Sequence, residues 1–282
     1  MLKFELQAEK NGNLIDILLE NIATTSGSIL SALKNKDISV NGSKIKENIE
    51  IKKLDNLVIF LPNDKIKYSI IYEDDNILII DKGDNIEVCD GNNNLLYFLE
   101  KKYKKLFAVH RLDRNTRGLV VFAKNLQSKN ELDRAFKNSL VDKFYYAKVN
   151  GEISPAHRVM TAYLVKDKEN SLVKIYDKEV KGSVPIKTEY SLVKCSNKFS
   201  IVDIKLHTGK THQIRAHFAH IGHSLVGDGK YGDFNVNKKL RQTKQNLYAY
   251  KLKFNFDKTS KLFYLNSKTF EVKSSNIFFF NI

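Results

Sequence analysis

The chain has 282 residues, of which 42% are hydrophobic and 11% aromatic. This length and composition suit one or two folded domains and exclude a disordered chain. Lysine and arginine together number 47 against 32 acidic residues, which gives a net charge of +15 and favours a polyanionic partner. The two cysteines, Cys89 and Cys195, are far apart, which excludes a disulfide-rich scaffold and a zinc site built on cysteines.

No apolar run approaches the roughly 18 residues that a membrane-spanning helix needs, and the first residues, MLKFE, show no signal peptide. We therefore expect a cytoplasmic protein that does not insert into a membrane. The sequence has neither a heptad pattern nor a large apolar helix stripe, so a monomer is expected.

Residues 1–62 are predicted to form a small N-terminal domain. Apolar residues recur at helical spacing within 14–22 and again within 29–33. Residues 38–42 then predict a strand ending in an Asn-Gly turn, and residues 57–60 predict a last strand. The polar stretch after Pro62 predicts a linker over residues 63–68.

The N-terminal pattern, NLIDILLEN followed by SILSALKNKDISVNGSKI, resembles the S-four-type RNA-binding domain, a small α/β domain. Residues 1–62 have eight lysines and eight acidic residues, whereas residues 34–53 have six lysines against three acidic residues. This local excess predicts that Lys34, Lys36 and Lys44 contact RNA. The alternative is that they form a solvated helix end.

Residues 69–282 are predicted to form a second, larger domain in which strand-like stretches outnumber helical ones. The predicted helices are 130–136 and 211–221, the latter with Thr211 as its N-cap. The predicted strands are 77–80, 119–122, 143–149, 188–193, 200–206 and the terminal 277–280. This mixture predicts an α+β fold with a mixed, largely antiparallel sheet.

Residues 110–118, HRLDRNTRG, contain three of the seven arginines of the chain. Asp113 stands among these guanidinium groups, which favour the ionised carboxylate, and an ionised carboxylate can act as a nucleophile. The arginines can bind phosphates or stack on bases, which predicts RNA contacts for Arg111 and Arg114. The alternative is a salt-bridged turn in which Gly118 eases the backbone.

Residues 206–217, LHTGKTHQIRAH, predict a strand, a glycine turn and the start of a helix. The positive end of such a helix favours anions, and Lys210 next to it is predicted to bind RNA. Arg215 lies on a different helix face from Ile214 and Phe218, so it need not be buried in the core. An ordinary surface arginine is the alternative interpretation.

Five of the seven histidines fall within residues 207–223, so a metal site has to be considered. No neighbouring cysteine or glutamate completes a ligand set, and helical spacing spreads the rings over more than one face. We therefore predict packing and phosphate contacts and no metal.

Strand alternation in KFYYAKV, residues 143–149, places Tyr145 and Tyr146 on opposite faces. One ring can pack in the core while the other faces a site. A tyrosine in a site could stack on a base or take part in proton transfer.

Three blocks in this order, HRLDRNTRGLVVFAK, KFYYAKV and LHTGKTHQIRAHFAHIGHSLVGDGKYG, are similar to the RluA-type pseudouridine synthases over most of residues 70–235. The resemblance implies isomerisation of uridine in RNA without a metal or an organic cofactor. It implies that Asp113 is the nucleophile, or a base at the ribose. Tyr145 would stack on the base and help to remove its C5 proton. Arg215 would bind Asp113 in a bidentate pair, and Arg111 would hold the RNA open.

The sequence departs from many relatives at Gly83, Arg117 and Lys210, where they have proline, serine and arginine. The departures at Arg117 and Lys210 put the choice of substrate in doubt rather than the reaction. The absence of proline at Gly83 is expected to loosen a turn behind the site without abolishing activity. The favoured substrate is large-subunit ribosomal RNA, with transfer RNA as the alternative. Two other classes remain open: a non-catalytic RNA-binding or assembly factor, and a metal-dependent hydrolase built on the histidines.

Overall fold

The computed structural model of the protein describes residues 2–22, 24, 26–61, 68–90, 94–167 and 169–280. The chain divides into two compact units, residues 1–67 with 85–106 and residues 68–84 with 107–282. The predicted linker falls on residues 63–67, which lie outside the described residues, and on Tyr68, where a strand begins. No helix within the described residues is long and apolar enough to cross a bilayer.

The first unit contains a four-stranded sheet, two helices that share its core and a third helix later in the chain. Its elements are β1 (Leu2–Gln7), β2 (Gly12–Asn13), α1 (Leu14–Asn21), α2 (Ser26–Lys34), β3 (Ile38–Val40), β4 (Ser43–Ile45), β5 (Glu50–Ile51), β6 (Asn56–Leu61) and α3 (Leu95–Glu100). The sheet has the order β1-β6-β3-β4, and β2 pairs with β5. Leu14, Leu18, Ile29, Leu57 and Ile59 are completely buried in its core. Both predicted helices and the Asn-Gly hairpin are present.

The second unit has a larger sheet and three helices. Its strands are β7 (Tyr68–Glu73), β8 (Ile77–Lys82), β9 (Phe107–Ala108), β10 (Arg117–Ala123), β11 (Val141–Asn150), β12 (His157–Asp167), β13 (Leu172–Tyr176), β14 (Val184–Cys195), β15 (Phe199–Leu206), β16 (Leu247–Phe254) and β17 (Thr269–Glu271). Its helices are α4 (Leu126–Lys137), α5 (Gln213–His220) and α6 (Phe234–Lys239).

The main path of this sheet has the order β13-β12-β14-β15-β11-β16-β10-β8-β7. Only the pairing between β10 and β16 is parallel among the described strands. The fold is therefore α+β with a mixed, largely antiparallel sheet, as the sequence predicts. Strand β10 is buried continuously from Gly118 to Ala123 and is apolar over this stretch, as expected for a strand with both faces covered.

Two predicted elements differ from the observed ones. Residues 277–280 do not form a terminal strand, because they follow a short 3-10 helix, Ser274–Asn276, and bury Ile277 and Phe279 in a turn. Helix α5 begins at Gln213 with His212 as its N-cap, not Thr211. His212 adopts a left-handed conformation with φ 54°, which ends the preceding turn and starts the helix one residue later.

Gly118 allows the parallel contact that joins β10 to β16. Its φ is +116°, and a Cβ atom at this position would lie 2.2 Å from the carbonyl oxygen of Ala249. A side chain of any size would push the two strands apart. Gly118 is therefore required by close packing of two backbones, and not only by the turn that precedes it.

Candidate active site

A cleft of about 540 Å³ opens in the second unit, and its walls come from residues of three segments, 110–116, 136–145 and 206–215, with Leu247. Among the described residues that line it, Asp113 is the only carboxylate. Five cationic side chains line it as well: Arg111, Lys137, Lys143, Lys210 and Arg215. The positive charge of the cleft is therefore suited to an anionic ligand. Such a ligand would meet a single carboxylate, that of Asp113, among these lining residues.

The loop that carries Asp113 is fixed on both sides. Before it, His110 Nε2 accepts a hydrogen bond from the backbone N–H of Val121 at 2.9 Å, and its ring stacks on Phe136. Burial, together with the charge of Lys143, lowers the pKa of His110 to about 3, so the ring is neutral. After it, the N–H of Thr116 donates to the carbonyl oxygen of Asp113 at 3.0 Å.

A buried lysine also supports this loop. Lys82, at the end of β8, donates hydrogen bonds from Nζ to the carbonyl oxygens of Gly83 at 2.9 Å and Arg114 at 3.1 Å. Burial lowers its pKa to about 7, although nearby carboxylates, Asp113 among them, oppose the shift. Gly83, one of the departures noted in the sequence, thus contributes a carbonyl oxygen that holds Lys82.

Arg215 is the residue that holds Asp113. Its Nη1 donates to Asp113 Oδ2 at 2.9 Å. Its Nε and Nη2 donate to the two carboxylate oxygens of Asp228 at 2.6 and 2.9 Å. The prediction of a bidentate pair with Asp113 is therefore wrong, because the fork of the guanidinium is used by Asp228.

Arg215 is not the ordinary surface arginine of the alternative interpretation, since only 6% of the residue is exposed. The polar side of the first turn of α5 is buried as well as the apolar side. Burial of Arg215 is tolerated because its guanidinium pairs with the carboxylate of Asp228. Burial lowers the pKa of Arg215, but Asp228 and Asp113 raise it more. The guanidinium is therefore permanently charged.

Asp228 is a functional residue that sequence reasoning missed. Its side chain is fully buried, and Oδ1 also accepts hydrogen bonds from the backbone N–H groups of Lys230 and Tyr231. Burial alone would raise its pKa, but the hydrogen bonds and charge of Arg215 lower it overall. A signal was available, because Asp228 is the only acidic residue between Leu206 and Gly232.

The two tyrosines of β11 point in opposite directions, as strand alternation predicts. Tyr145 lines the cleft and is buried, whereas Tyr146 stacks on Tyr250 with 3.9 Å between ring centroids. Burial and the negative charge of Asp113 raise the pKa of Tyr145. Its phenol therefore enters the cleft as a neutral hydrogen-bonding group.

The structure separates the residues predicted to bind RNA. Arg111 and Lys210 line the cleft, whereas Arg114 is not among the lining residues. Lys34, Lys36 and Lys44 are exposed in the first unit, at the end of α2, after it and in β4. Arg117, one of the departures, donates to Asp84 at 2.6 Å and lies over the ring of Phe278.

The histidines of residues 207–223 have separate partners. The nearest partner of each is Glu189 for His207, Tyr231 for His212, Thr188 for His217, Asp177 for His220 and the carbonyl oxygen of Asn150 for His223. Within the described residues, no three histidine, cysteine or acidic side chains are grouped so as to hold a metal ion.

Comparisons with known proteins agree with this fold. The family model described as RNA pseudouridylate synthase matches residues 74–220, just over half of the chain. A pseudouridine synthase from Chlorobaculum parvum is 32% identical over 74% of this chain and 71% of its own length. The chain belongs to this family, and it is an RNA pseudouridine synthase.

Two relatives have more specific names. Ribosomal large subunit pseudouridine synthase D of Blochmanniella floridana is 33% identical over 89% of this chain and 85% of that protein. Ribosomal large subunit pseudouridine synthase C of Vibrio parahaemolyticus is 31% identical over 60% of this chain, but over only 54% of that protein.

A solved structure, human RNA pseudouridylate synthase domain containing 1, has a TM-score of 0.62 at 23% identity. The match covers 76% of this chain and 85% of the human chain. At this identity the likeness supports the fold rather than any finer property.

Proposed function

We propose that this enzyme isomerises specific uridines of large-subunit ribosomal RNA, with Asp113 as the residue that acts on the ribose. The observation that carries the proposal is the position of Asp113: it is the only carboxylate among the described lining residues of a cation-rich cleft, and Arg215 binds it. Arg215 orients the carboxylate and stabilises its negative charge.

The reaction makes and breaks a small set of bonds. The bond between ribose C1′ and uracil N1 breaks, the uracil turns, and a bond forms between C1′ and C5. The C5 proton leaves and N1 gains a proton, so the reaction is neither an oxidation nor a reduction. Asp113 either attacks C1′ as N1 leaves and is itself displaced when C5 bonds to C1′, or removes a ribose proton as a base and returns it when that bond forms. Tyr145 stacks on the base and assists the proton transfer from C5.

The uridine has to leave its helix to reach Asp113. Extrusion of a nucleotide costs roughly a few kcal/mol. Contacts between the RNA phosphates and cationic residues of the cleft, such as Arg111 and Lys210, offset part of this cost. We assign Arg114 to the same RNA surface, next to Asp113 in the chain.

The names of the two relatives with stated substrates support ribosomal RNA over transfer RNA. In this proposal residues 1–62 are an S-four-type RNA-binding domain, residues 63–68 a linker and residues 69–282 the catalytic domain. The exposed Lys34, Lys36 and Lys44 bind RNA outside the target uridine. The enzyme acts as a monomer in the cytoplasm, where ribosomes are assembled, and requires no cofactor.

The test is to map pseudouridines in ribosomal and transfer RNA from a strain lacking the protein, alone or with wild type or D113A. We expect a pseudouridine of large-subunit ribosomal RNA to disappear and to return only with wild type. D113A should bind the RNA as wild type does. Loss of a pseudouridine from transfer RNA instead would contradict the substrate. Restoration of the pseudouridine by D113A would contradict the role of Asp113.

A further inference from the structure

Besides Arg215, a second polar residue faces Asp113: His212, the N-cap residue of α5. His212 lines the cleft, and its Nε2 lies 3.8 Å from Asp113 Oδ2. Its backbone has φ 54° and ψ 15°, a left-handed conformation that is uncommon for residues other than glycine. Such strained positions often place a side chain for function.

The other side of the ring is held by Tyr231. His212 Nδ1 lies 2.9 Å from the Tyr231 hydroxyl oxygen, and the two rings meet edge to face. The same hydroxyl oxygen accepts a hydrogen bond from the backbone N–H of Val173 at 2.8 Å. The hydroxyl hydrogen is then free to point at Nδ1.

These contacts decide which ring nitrogen carries the proton. If Tyr231 donates to Nδ1, the proton of the neutral ring is on Nε2 and faces the carboxylate of Asp113. The opposite tautomer would turn the lone pair of Nε2 toward that carboxylate, which is electrostatically unfavourable. The geometry therefore selects the Nε2–H tautomer.

Building on the proposed role of Asp113, we propose that His212 is a positioning residue for that carboxylate, fixed by Tyr231 as its Nε2–H tautomer. When a uridine fills the cleft, the 3.8 Å separation closes to hydrogen-bond distance, and Nε2 becomes the second donor to Asp113 Oδ2. Arg215 supplies only Nη1 to Asp113. A second donor from another direction prevents rotation of the carboxylate during the reaction.

The charged groups around His212 keep the ring neutral. Burial lowers its pKa most, the charges of Arg215 and Lys230 lower it further, and Asp113 and Asp228 oppose the shift. Tyr231, the remaining titratable neighbour, has a raised pKa and stays protonated. Protonation of His212 in acid would place a charge beside Asp113 and remove the acceptor that Tyr231 uses.

The tautomer can be tested without any activity. Long-range ¹H–¹⁵N NMR spectra of full-length protein with labelled histidines distinguish the two neutral forms, and H212Q identifies the His212 signal by its loss. We expect the Nε2–H form at pH 7 in wild type, and a mixture of forms in Y231F. A wild-type ring with its proton on Nδ1 would overturn the proposal, whichever RNA the enzyme modifies.

The kinetic test uses release of tritium from a large-subunit ribosomal RNA transcript labelled at uridine C5, for which wild-type turnover is the reference. Y231F should lower kcat about tenfold with KM unchanged. It should also move the acid limb of kcat to higher pH, because Nδ1 loses a donor that favours the neutral ring. Y264F, which removes a hydroxyl bound to Asp74 outside the cleft, is the matched control and should behave as wild type.

Two variants at position 212 separate positioning from packing. H212Q keeps an N–H donor without a titrating ring, so it should retain most of kcat and lose the acid limb of His212. H212L should lose about tenfold in kcat. If Y231F and H212L both keep the wild-type kcat and pH profile, His212 does not position Asp113. An absence of turnover in wild type itself would instead contradict the proposed function and leave the NMR test decisive.

Discussion

Arg215 gives two of its three nitrogen atoms to Asp228 and the third to Asp113. Asp228 is fully buried and held by two backbone N–H groups, so it is the fixed member of this triad. A planar guanidinium bound at two points has only one orientation. The direction from which Asp113 receives its hydrogen bond is therefore set by a residue that does not line the cleft.

Replacement of Asp228 by asparagine tests this relationship. D228N keeps the shape of the side chain but removes the charge and one of the acceptors for the guanidinium. We expect kcat to fall about 100-fold through misalignment of Asp113 and the free energy of unfolding to fall by about 3 kcal/mol. Tritium release and urea unfolding measure both. The control is D177N, at an exposed carboxylate paired with His220, which should keep the wild-type kcat. A wild-type kcat in D228N would contradict the interpretation that Asp228 fixes the guanidinium of Arg215.

The substitution R215K keeps the positive charge and removes the fork. A lysine ammonium cannot bind both oxygens of Asp228 while also donating to Asp113. We expect the protein to fold and kcat to fall by about 100-fold or more. The control is R158K, at an exposed arginine. Near-normal turnover of R215K would show that charge alone is sufficient.

The hydroxyl of Tyr145 can be separated from its ring. Because burial and Asp113 raise the pKa of this phenol, it is protonated at pH 6 and at pH 9. Y145F should therefore lower kcat by the same factor, about tenfold, at both pH values and bind RNA normally, since the aromatic face remains. Y146F, on the opposite face of the strand, should keep the wild-type rate. A loss confined to high pH would contradict this interpretation.

Lys143 is expected to bind an RNA phosphate. It lines the cleft, and burial lowers its pKa. Its Nζ has no hydrogen-bond or ion-pair partner within the described part of the chain. K143Q should weaken binding and reduce the slope of log K against log salt by about 0.7, the value for one phosphate of a single strand. The control is K258Q, at an exposed lysine. Equal slopes of log K against log salt for K143Q and K258Q would exclude a phosphate contact at Lys143.

Gly118 and Gly182 form a natural pair for a stability test. Both have positive φ values, but a Cβ atom would meet the backbone of Ala249 at Gly118 and nothing within 4 Å at Gly182. G182A should cost about 1 kcal/mol from backbone strain alone. G118A should cost more than about 4 kcal/mol because two strands must separate. Equal losses measured by urea unfolding would show that the close approach contributes nothing.

The sequence predicts the elements whose pattern is local. Continuous apolar runs predict the buried strands β8 and β10, and the Asn-Gly turn predicts the hairpin of β3 and β4. By contrast, the apolar run at 277–280 is buried as a turn. The apolar character of these side chains predicts that they are buried. It does not predict a strand, because strand formation also requires a neighbouring strand with free backbone groups.

The site shows the same division. Residue chemistry and resemblance single out Asp113, Tyr145 and Arg215, and the structure places all three in one cleft. The sharing of the guanidinium is not predictable, because it depends on how the chain after α5 folds back. The sequence does show Asp228 as the only acidic residue between Leu206 and Gly232, but its contact with Arg215 and the position of the Tyr231 hydroxyl are tertiary properties that no local spacing encodes.

The place of β16 in the sheet affects how this enzyme can be synthesised. β16 lies between β10 and β11, although it follows both by more than 90 residues. A nascent chain that has not reached Leu247 already carries all the residues that surround Asp113 in the cleft except Leu247 itself. Its sheet, however, consists of two halves with open edges, which are prone to aggregation. We therefore expect activity to start only after translation has passed Phe254, and unfinished chains to be substrates for chaperones and proteases rather than weak enzymes.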